Sequence, residues 1–444
     1  MKRIISELML AFLAMGMLLY VFGIRPVRAW NGTVYIKADG SIDPSNAPII
    51  TYDNITYALT GNITSYDDGI IVEKDHIVID GAGFELNGTG YGRGIDLSNR
   101  INVTVKNVAV KNFQTGIHLD NSNNTDIIRN EIEKNRCGIC LLYSKNNSIQ
   151  TNNLMANNES GIYLGFSSLN SIFKNNATNN LHGIFLEFSY NNTIIANTII
   201  NNQYGVLLRE SNNSRFHHNN FIDNSQQVFD WSWGHPFYAS SINFWDDGYP
   251  SGGNYWSNYA GIDLYSGSYQ NETGSDGIHD YFYKIDENNQ DNYPLMGMFY
   301  DFEVVGLYDE IFHVQVISNS TVSELNLLVC LDSLNKYLQP GQEFLQFYVE
   351  GENYTSGFCR ATIPKALLND SYTVLVDWTE VPTRQLDASN STRAYLYFTY
   401  NHTKHEVIII PEFPSTITLP CLMLTNLIAA LHLKKKLKNK TQTS

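Results

Sequence analysis

Through the middle of the chain, apolar and polar positions recur with one period. The tetrapeptide Gly-apolar-x-Leu begins at Gly94, Gly116, Gly138, Gly161, Gly183 and Gly205, with steps of 22, 22, 23, 22 and 22 residues. Other columns keep that register from Gly116 onward. Ile127, Ile149, Ile172, Ile194 and Phe216 form an apolar column, and Ser122, Ser144, Ser167, Ser189 and Ser211 a polar one. Asparagine fills two more columns, Asn130, Asn152, Asn175, Asn197 and Asn219, then Asn135, Asn157, Asn180, Asn202 and Asn224. A unit this short cannot bury its apolar face alone, whereas stacked units can, each as one coil of a parallel β-helix. Strands in adjacent coils then lie about 4.8 Å apart, with the Ile and Leu columns pointing into the core. Strands disfavour Asn, so its columns are expected at the bends. There Asn tolerates the left-handed conformation, and its amide bonds to the same amide one coil on.

From Trp245 the pattern changes. The segments "WDDGYPSGGNYWSNYAGIDLYSG" and "GSDGIHDYFYKIDENNQDNYPLM" are dense in Gly, Asp and aromatic residues. A terminal coil exposes apolar side chains and strand edges, and a cap must cover them. Trp245, Tyr255, Trp256 and Tyr259 suit that role, with Tyr281 and Tyr293. Beyond this region the period is absent. Strand-like runs at Phe312 to Ser318, Phe344 to Val349, Tyr372 to Val376, Ala394 to Thr399 and Glu406 to Ile410 are separated by turns. They predict a small antiparallel β-sandwich. The chain therefore reads as all-β, with a β-helix over 30–244, a capping region over 245–300 and a sandwich over 301–410.

The Gly-Ile-x-Leu coils and Asn ladders resemble the right-handed parallel β-helix of the NosD-like family, within the pectin-lyase-like group of carbohydrate-binding proteins and sugar hydrolases. The resemblance covers roughly residues 60 to 298, including the opening segments Gly69 to Val72 and His76 to Gly81. The NYWS and DGI-x-D pieces look like the element that closes such helices. "GFCRATIPKALL" and "AYLYFTYNHTKHEVIII" look like a module that follows such β-helices in archaeal surface proteins.

The two ends suggest export. Lys2 and Arg3, an apolar run from Leu8 to Ile24 and the small-x-small site Val27-Arg28-Ala29 read as a signal peptide over 1–29. At the other end, Ile417 to Leu433 is apolar and is followed by Lys434, Lys435, Lys436 and Lys438. That run is near the lower limit for a membrane-spanning helix, and the basic flank places it in the cytoplasm. "IPEFPS" before it resembles a PEF-type archaeal sorting signal, so residues 411–444 are expected either to stay as an anchor or to be cut and replaced by a lipid. Either way the body lies on the outer face of the membrane. Of 29 Lys+Arg and 44 Asp+Glu, residues 30–410 keep 20 and 42. So acidic a surface argues against nucleic acid. Sequons at Asn31, Asn54, Asn62, Asn102, Asn191, Asn271, Asn319, Asn353 and Asn401 mark candidate glycosylation sites.

The search for chemistry starts from the outward columns. Glycoside hydrolysis needs two carboxylates about 5 to 9.5 Å apart, which here means acids in one column of adjacent coils. The column two after each glycine reads Asp96, His118, Cys140, Tyr163, Phe185, Leu207. Asp96, His118 and Asp120 are the weak candidate for a catalytic site. In the cap, Asp263, Asp276, Asp280 and Asp286 are candidate oxygen ligands for a structural Ca²⁺, and Trp245, Tyr255, Trp256 and Tyr259 are candidate sugar-stacking rings. The family name implies copper, which wants His, Cys or Met together. His217-His218 is the one adjacent His pair, with members expected to face opposite sides of a strand. Cys137 and Cys140 have redox-motif spacing on a bend, not at a helix start. Cys330 and Cys359 are a candidate disulfide. The expected function is non-catalytic binding of an extended glycan or envelope polymer, with no obligatory cofactor. The alternatives are a polysaccharide hydrolase or lyase, and a NosD-type copper-handling protein.

Overall fold

The computed structural model describes residues 30–306, 308–331, 337–369 and 371–412. They form two compact units. The first runs to Ser214 and adds Asp223–Ile242; the second holds Arg215–Ile222 and the chain from Asn243. The signal and anchor segments lie outside the described residues. Among the described residues no helix is long and apolar enough to cross a membrane.

The first unit is a parallel β-helix. One sheet of ten strands contains the Gly-apolar-x-Leu segments, including Thr115–Asp120, Cys137–Leu142, Ser160–Gly165, His182–Glu187 and Tyr204–Arg209. Each pairs in parallel with the next coil in identical register, Ile117 on Ile139 on Ile162 on Ile184 on Val206. Two further sheets of three-residue strands complete each coil, for example Asp126–Ile128 and Glu131–Glu133. Ile117, Leu119, Ile127 and Ile132 are fully buried, as are their counterparts in the next coil. The repeated glycine is forced by close approach. A Cβ on Gly116 would sit 2.6 Å from the carbonyl oxygen of Gly138 and 2.9 Å from Ile132.

The asparagine columns are ladders with one correction. The Nδ2 of Asn130 donates to Oδ1 of Asn152 (2.9 Å), that of Asn152 to Asn175 (3.0 Å) and that of Asn175 to Asn197 (3.0 Å). Each Nδ2 also donates to a carbonyl of the preceding coil, as Asn152 does to Ile127 (2.8 Å). The left-handed turn, however, belongs to the residue before. Arg129, Thr151, Lys174 and Ala196 have φ of 55°, 56°, 53° and 55°. The ladder asparagine must face inward to bond, so the preceding residue turns the chain and varies in identity. A third ladder, Asn147–Asn170–Asn192, runs nine residues after the glycines.

In the second unit, Trp245 and Trp256 stack on Phe216 and Phe221, each at 4.3 Å between ring centroids. Two antiparallel five-stranded sheets follow. One is ordered Met298–Val305, Ile311–Ser318, Ser356–Pro364, Arg393–Asn401, Thr383–Gln385; the other Thr321–Val329, Glu343–Glu350, Lys404–Pro411, Tyr372–Val376, Thr379–Glu380. Val316, Phe347, Ala361, Leu396 and Ile409 share the core between them. The sandwich thus begins at Met298 and includes strands Thr321–Val329 and Ser356–Pro364 that the apolar runs alone did not mark. Cys330 and Cys359 are not joined by a disulfide. Cys359 is fully buried in that core beside Ser318 and Tyr400, whereas Cys330 packs with Leu338 and Phe344 in a separate cluster.

Candidate functional site

The long strands of the first unit present two outward columns, because the glycine bulge resets the alternation. One holds Arg93, Thr115, Cys137, Ser160, His182 and Tyr204, the other Asp96, His118, Cys140, Tyr163, Phe185 and Leu207. A cleft of about 380 Å³ opens between them, lined by Cys137, Cys140, Ser160, Tyr163, His182 and Phe185, with Arg136 and Glu159 on its rim.

The three residues singled out as a catalytic candidate share this face but do not form a triad. Asp96 and His118 are register partners. The Asp96 carboxylate is turned to Arg93 Nη1 (2.7 Å) and to the hydroxyl (2.5 Å) and amide (3.0 Å) of Ser98. Burial raises its carboxyl, but the bonds from Ser98 and Arg93 outweigh that and hold it below the usual range. Asp120 accepts from Asn121 Nδ2 (3.1 Å). Both ring nitrogens of buried His118 lack a hydrogen-bond partner. Its neighbour on the other side is Cys140, which the sequence placed in the column without a role. The Cys137 thiol, with His118 in support and against burial, pulls the Cys140 thiol below the usual thiol range, and Cys137 itself is pushed up by its bond to Cys140 and by burial.

Aromatic rings and ion pairs fill the rest of the face. Ser160 Oγ lies 3.1 Å from His182 Nδ1, and burial lowers the affinity of His182 for a proton. Tyr163 donates to Glu187 (2.5 Å), whose other oxygen takes Arg209 (2.6 Å). Arg136 pairs with Glu159 at 2.8 Å. Phe185 contacts both Tyr163 (5.2 Å) and His182 (5.3 Å), and Tyr204 stacks on Phe229 (5.3 Å). At the strand ends, Tyr143, Phe166 and Phe188 stack face to face at 5.1 and 4.9 Å. In that stack Phe166 has a ring on each face, Phe188 also lies against Arg209, and Tyr143 stands exposed at the end.

The cap candidates are placed differently from expectation. Trp245 and Trp256 are 1% exposed, so their faces are spent on the core. Their indole N–H groups donate to Asn289 (3.1 Å) and Asp291 (2.9 Å). Tyr255 is half-buried in a strand pairing with Asn220, and Tyr259 donates to the carbonyls of Tyr281 and Phe282. The four aspartates do not converge. Asp263 accepts the amides of Asp276 (2.9 Å) and Gly277 (2.8 Å), Asp276 that of Ile278 (3.0 Å), Asp280 those of Leu264 and Tyr265, and Asp286 that of Asn288 (2.7 Å). Each satisfies turn amides. Burial pushes Asp263 up to about 7, and does the same to Asp291, a fully buried cap acid that the sequence reading passed over. His217 and His218 do not face opposite sides. The strand ends at His217, His218 turns left-handed (φ 58°), and their Nδ1 atoms approach to 3.3 Å. Burial lowers His218 to about 3. Among the described residues, no three His, Cys, Asp or Glu side chains are gathered as they stand around one metal position.

Comparison with known proteins adds the following. Residues 49–261 match the family described as periplasmic copper-binding protein (NosD). No curated protein matches the sequence. Among solved structures, a variant of the periplasmic alginate epimerase AlgG is similar at 17% identity and a TM-score of 0.32, over 48% of this chain and 60% of that one. The chain thus spans less than two thirds of that protein. Full-length tailspike protein 2 of an Escherichia coli bacteriophage is similar at 11% identity and a TM-score of 0.35, over 85% of this chain and 66% of that one.

Proposed function

Taking the solenoid as a right-handed parallel β-helix of the NosD type, we propose that the outward face of its long-stranded sheet binds an extended glycan or envelope polymer without cleaving it. The observation that carries this reading is the cleft at Cys140, Tyr163, His182 and Phe185. It lies where rings follow one another in successive coils, Tyr163, Phe185 and Tyr204, as the units of a polymer do. A compact metabolite would need an enclosed pocket with convergent polar groups instead.

The pairing of the carboxylates at the cleft with arginines favours binding over hydrolysis. A glycosidase needs one carboxyl kept protonated near neutral pH and a second ionised across the bond. Here Asp96 is held ionised by Ser98 and Arg93, while Glu159 and Glu187 are tied to Arg136 and Arg209. Burial raises Asp68, Asp126 and Asp230 in the first unit and Asp263, Asp276 and Asp291 in the cap; Asp68 accepts the Arg93 amide, Asp230 those of Ser232 and Ser241, and the three cap acids accept turn amides. The acidic surface favours a neutral polymer over a polyanion. In this reading the chain is exported and held to the outer face of the membrane by its C-terminal segment.

The test is incubation of the chain with neutral and acidic polysaccharides, following co-sedimentation and new chain ends together. Retention on a neutral polymer without new ends is expected. New reducing or unsaturated ends would overturn the reading in favour of a hydrolase or lyase.

One observation supports a second reading. The Cys137 and Cys140 thiols, with the His118 ring beside Cys140, are soft donors that suit Cu(I). When bound, such an ion would supply thiolate-stabilised copper storage or transfer. His118 would have to turn to add a third ligand. Competition against a chromophoric Cu(I) chelator checks this: binding lost in Cys137→Ala and Cys140→Ala supports it, and unchanged binding in both removes it.

A further inference from the structure

We infer that Asn353 and Asn401 are acceptors for N-linked oligosaccharide, and that the neighbouring sequon at Asn319 is not. Three Asn-x-Ser/Thr sequons meet at one end of the sandwich: Asn319-Ser320-Thr321, Asn353-Tyr354-Thr355 and Asn401-His402-Thr403. The sequence alone makes them equivalent, but the structure separates them. Asn319 has both ends of its amide engaged. Its Nδ2 donates to the Ser356 carbonyl (2.9 Å), and its Oδ1 accepts the Phe358 amide (3.0 Å). Glycosylation there replaces one of the two Nδ2 hydrogens, so the oligosaccharide must be joined to an amide already held at both ends by strand Ser356–Pro364, although Asn319 itself is exposed.

Asn353 and Asn401 are exposed, and their side-chain amides have no partner among the described residues. Both line one open depression of about 640 Å³ on the sandwich. Its floor is stiff. Buried His402 bonds to Ser320 Oγ (2.8 Å) and to Thr355 Oγ1, and the Thr403 hydroxyl to His405 (2.8 Å). Tyr354 sits between the two acceptors with its side chain wholly exposed, at 103% of the reference area. The ring therefore leaves the space around both acceptors open to solvent.

The transfer needs a lipid-phosphate-linked oligosaccharide as donor. The bond from the anomeric carbon to the phosphate oxygen breaks, the bond from that carbon to asparagine Nδ2 forms, and the amide proton leaves with the released lipid phosphate. Such donors act on exported chains, so the inference shares the export premise but not the glycan-binding one. Retention on a polymer and occupancy of these sites can fail separately.

The test is glycopeptide mass spectrometry on the full chain purified from its own host, beside the single variants Asn353→Gln and Asn401→Gln. Both side chains are solvent-facing, so the variants keep the fold. The expected result is an oligosaccharide mass on Asn353 and on Asn401, an unmodified Asn319, and loss of one oligosaccharide mass in each variant. Unmodified Asn353 and Asn401, or a modified Asn319, would overturn the inference.

Discussion

Replacing Asn152 by alanine removes four hydrogen bonds at one corner of the solenoid. Its Oδ1 accepts from the backbone amide (3.0 Å) and the Nδ2 (2.9 Å) of Asn130, and its Nδ2 donates to Ile127 O (2.8 Å) and Asn175 Oδ1 (3.0 Å). Not all four losses count equally. Asn130 Nδ2 keeps Val105 O, and Asn175 Oδ1 keeps the Asn152 amide. The buried Asn130 amide loses its side-chain acceptor, at a cost of about 1–3 kcal/mol, and the remaining bonds add roughly 1 kcal/mol between them. The expected destabilisation is about 3 kcal/mol, which for a unit of this size lowers Tm by roughly 6–12 °C. Asn153→Ala is the control. Its Nδ2 meets the Glu131 carboxylate (2.7 Å) and its half-buried Oδ1 accepts from Asn176 Nδ2 (3.0 Å), with no backbone amide left unpaired, so the change should stay within about 1 kcal/mol. Thermal and urea unfolding followed by far-UV circular dichroism measure both. Equal effects of the two substitutions would refute the view that buried ladders, and not apolar stacking alone, hold the coils in register.

Three further outcomes follow from the geometry. Gly116→Ala should force the coils apart at the Gly138 carbonyl and cost about 1–3 kcal/mol as overpacking, read by the same unfolding curves. The Cys140 thiol should ionise below the pH at which a free thiol does, and Cys137→Ala should move the midpoint of its alkylation rate upward; an unmoved midpoint would show that Cys137 does not hold the thiolate. Burial raises Asp263 and Asp291 to about 7 in the folded cap, against about 3.9 when unfolded. Their contribution is therefore full below about pH 4 and is lost as pH rises through about 7. Melting of the second unit, followed by the fluorescence of Trp245 and Trp256, should come at lower temperature at neutral pH than at mildly acidic pH, and Asp291→Asn should flatten that dependence.

The period carried most of the fold. Six glycines and the columns counted from them place every long strand of the solenoid, because register in stacked coils is a matter of residue count. The third ladder was visible in the same count, as Thr125, Asn147, Asn170, Asn192 and Ser214. Column membership does not give side-chain direction, and there the sequence reading fell short. Asp96 shares a column with His118 but turns to Arg93, three residues back on its own strand. Cys140 was legible as a neighbour of His118 and was passed over, because its ionisation depends on how Cys137 reaches across the glycine bulge. His217 and His218 were read as strand neighbours, and the left-handed residue that turns them together leaves no signature in side-chain type. In the cap, aromatic density was legible. Whether each ring was buried was not, since that depends on which Phe of the last coil lies beneath it. The sandwich strands with mixed polarity, such as Ser356–Pro364, carry Arg360 and Thr362 in buried positions, which broke the alternation used to find them.

The outward face of the long-stranded sheet is the binding face in this reading. The most direct measurement is calorimetric titration of the polymer retained in co-sedimentation against the wild-type chain, Phe185→Ala and Tyr354→Ala. Phe185 lines the cleft and Tyr354 stands on the sandwich. Loss of a ring that packs against the polymer should weaken binding by about 3- to 10-fold, with Tyr354→Ala unchanged. Unchanged affinity in Phe185→Ala, or a loss confined to Tyr354→Ala, would contradict the account.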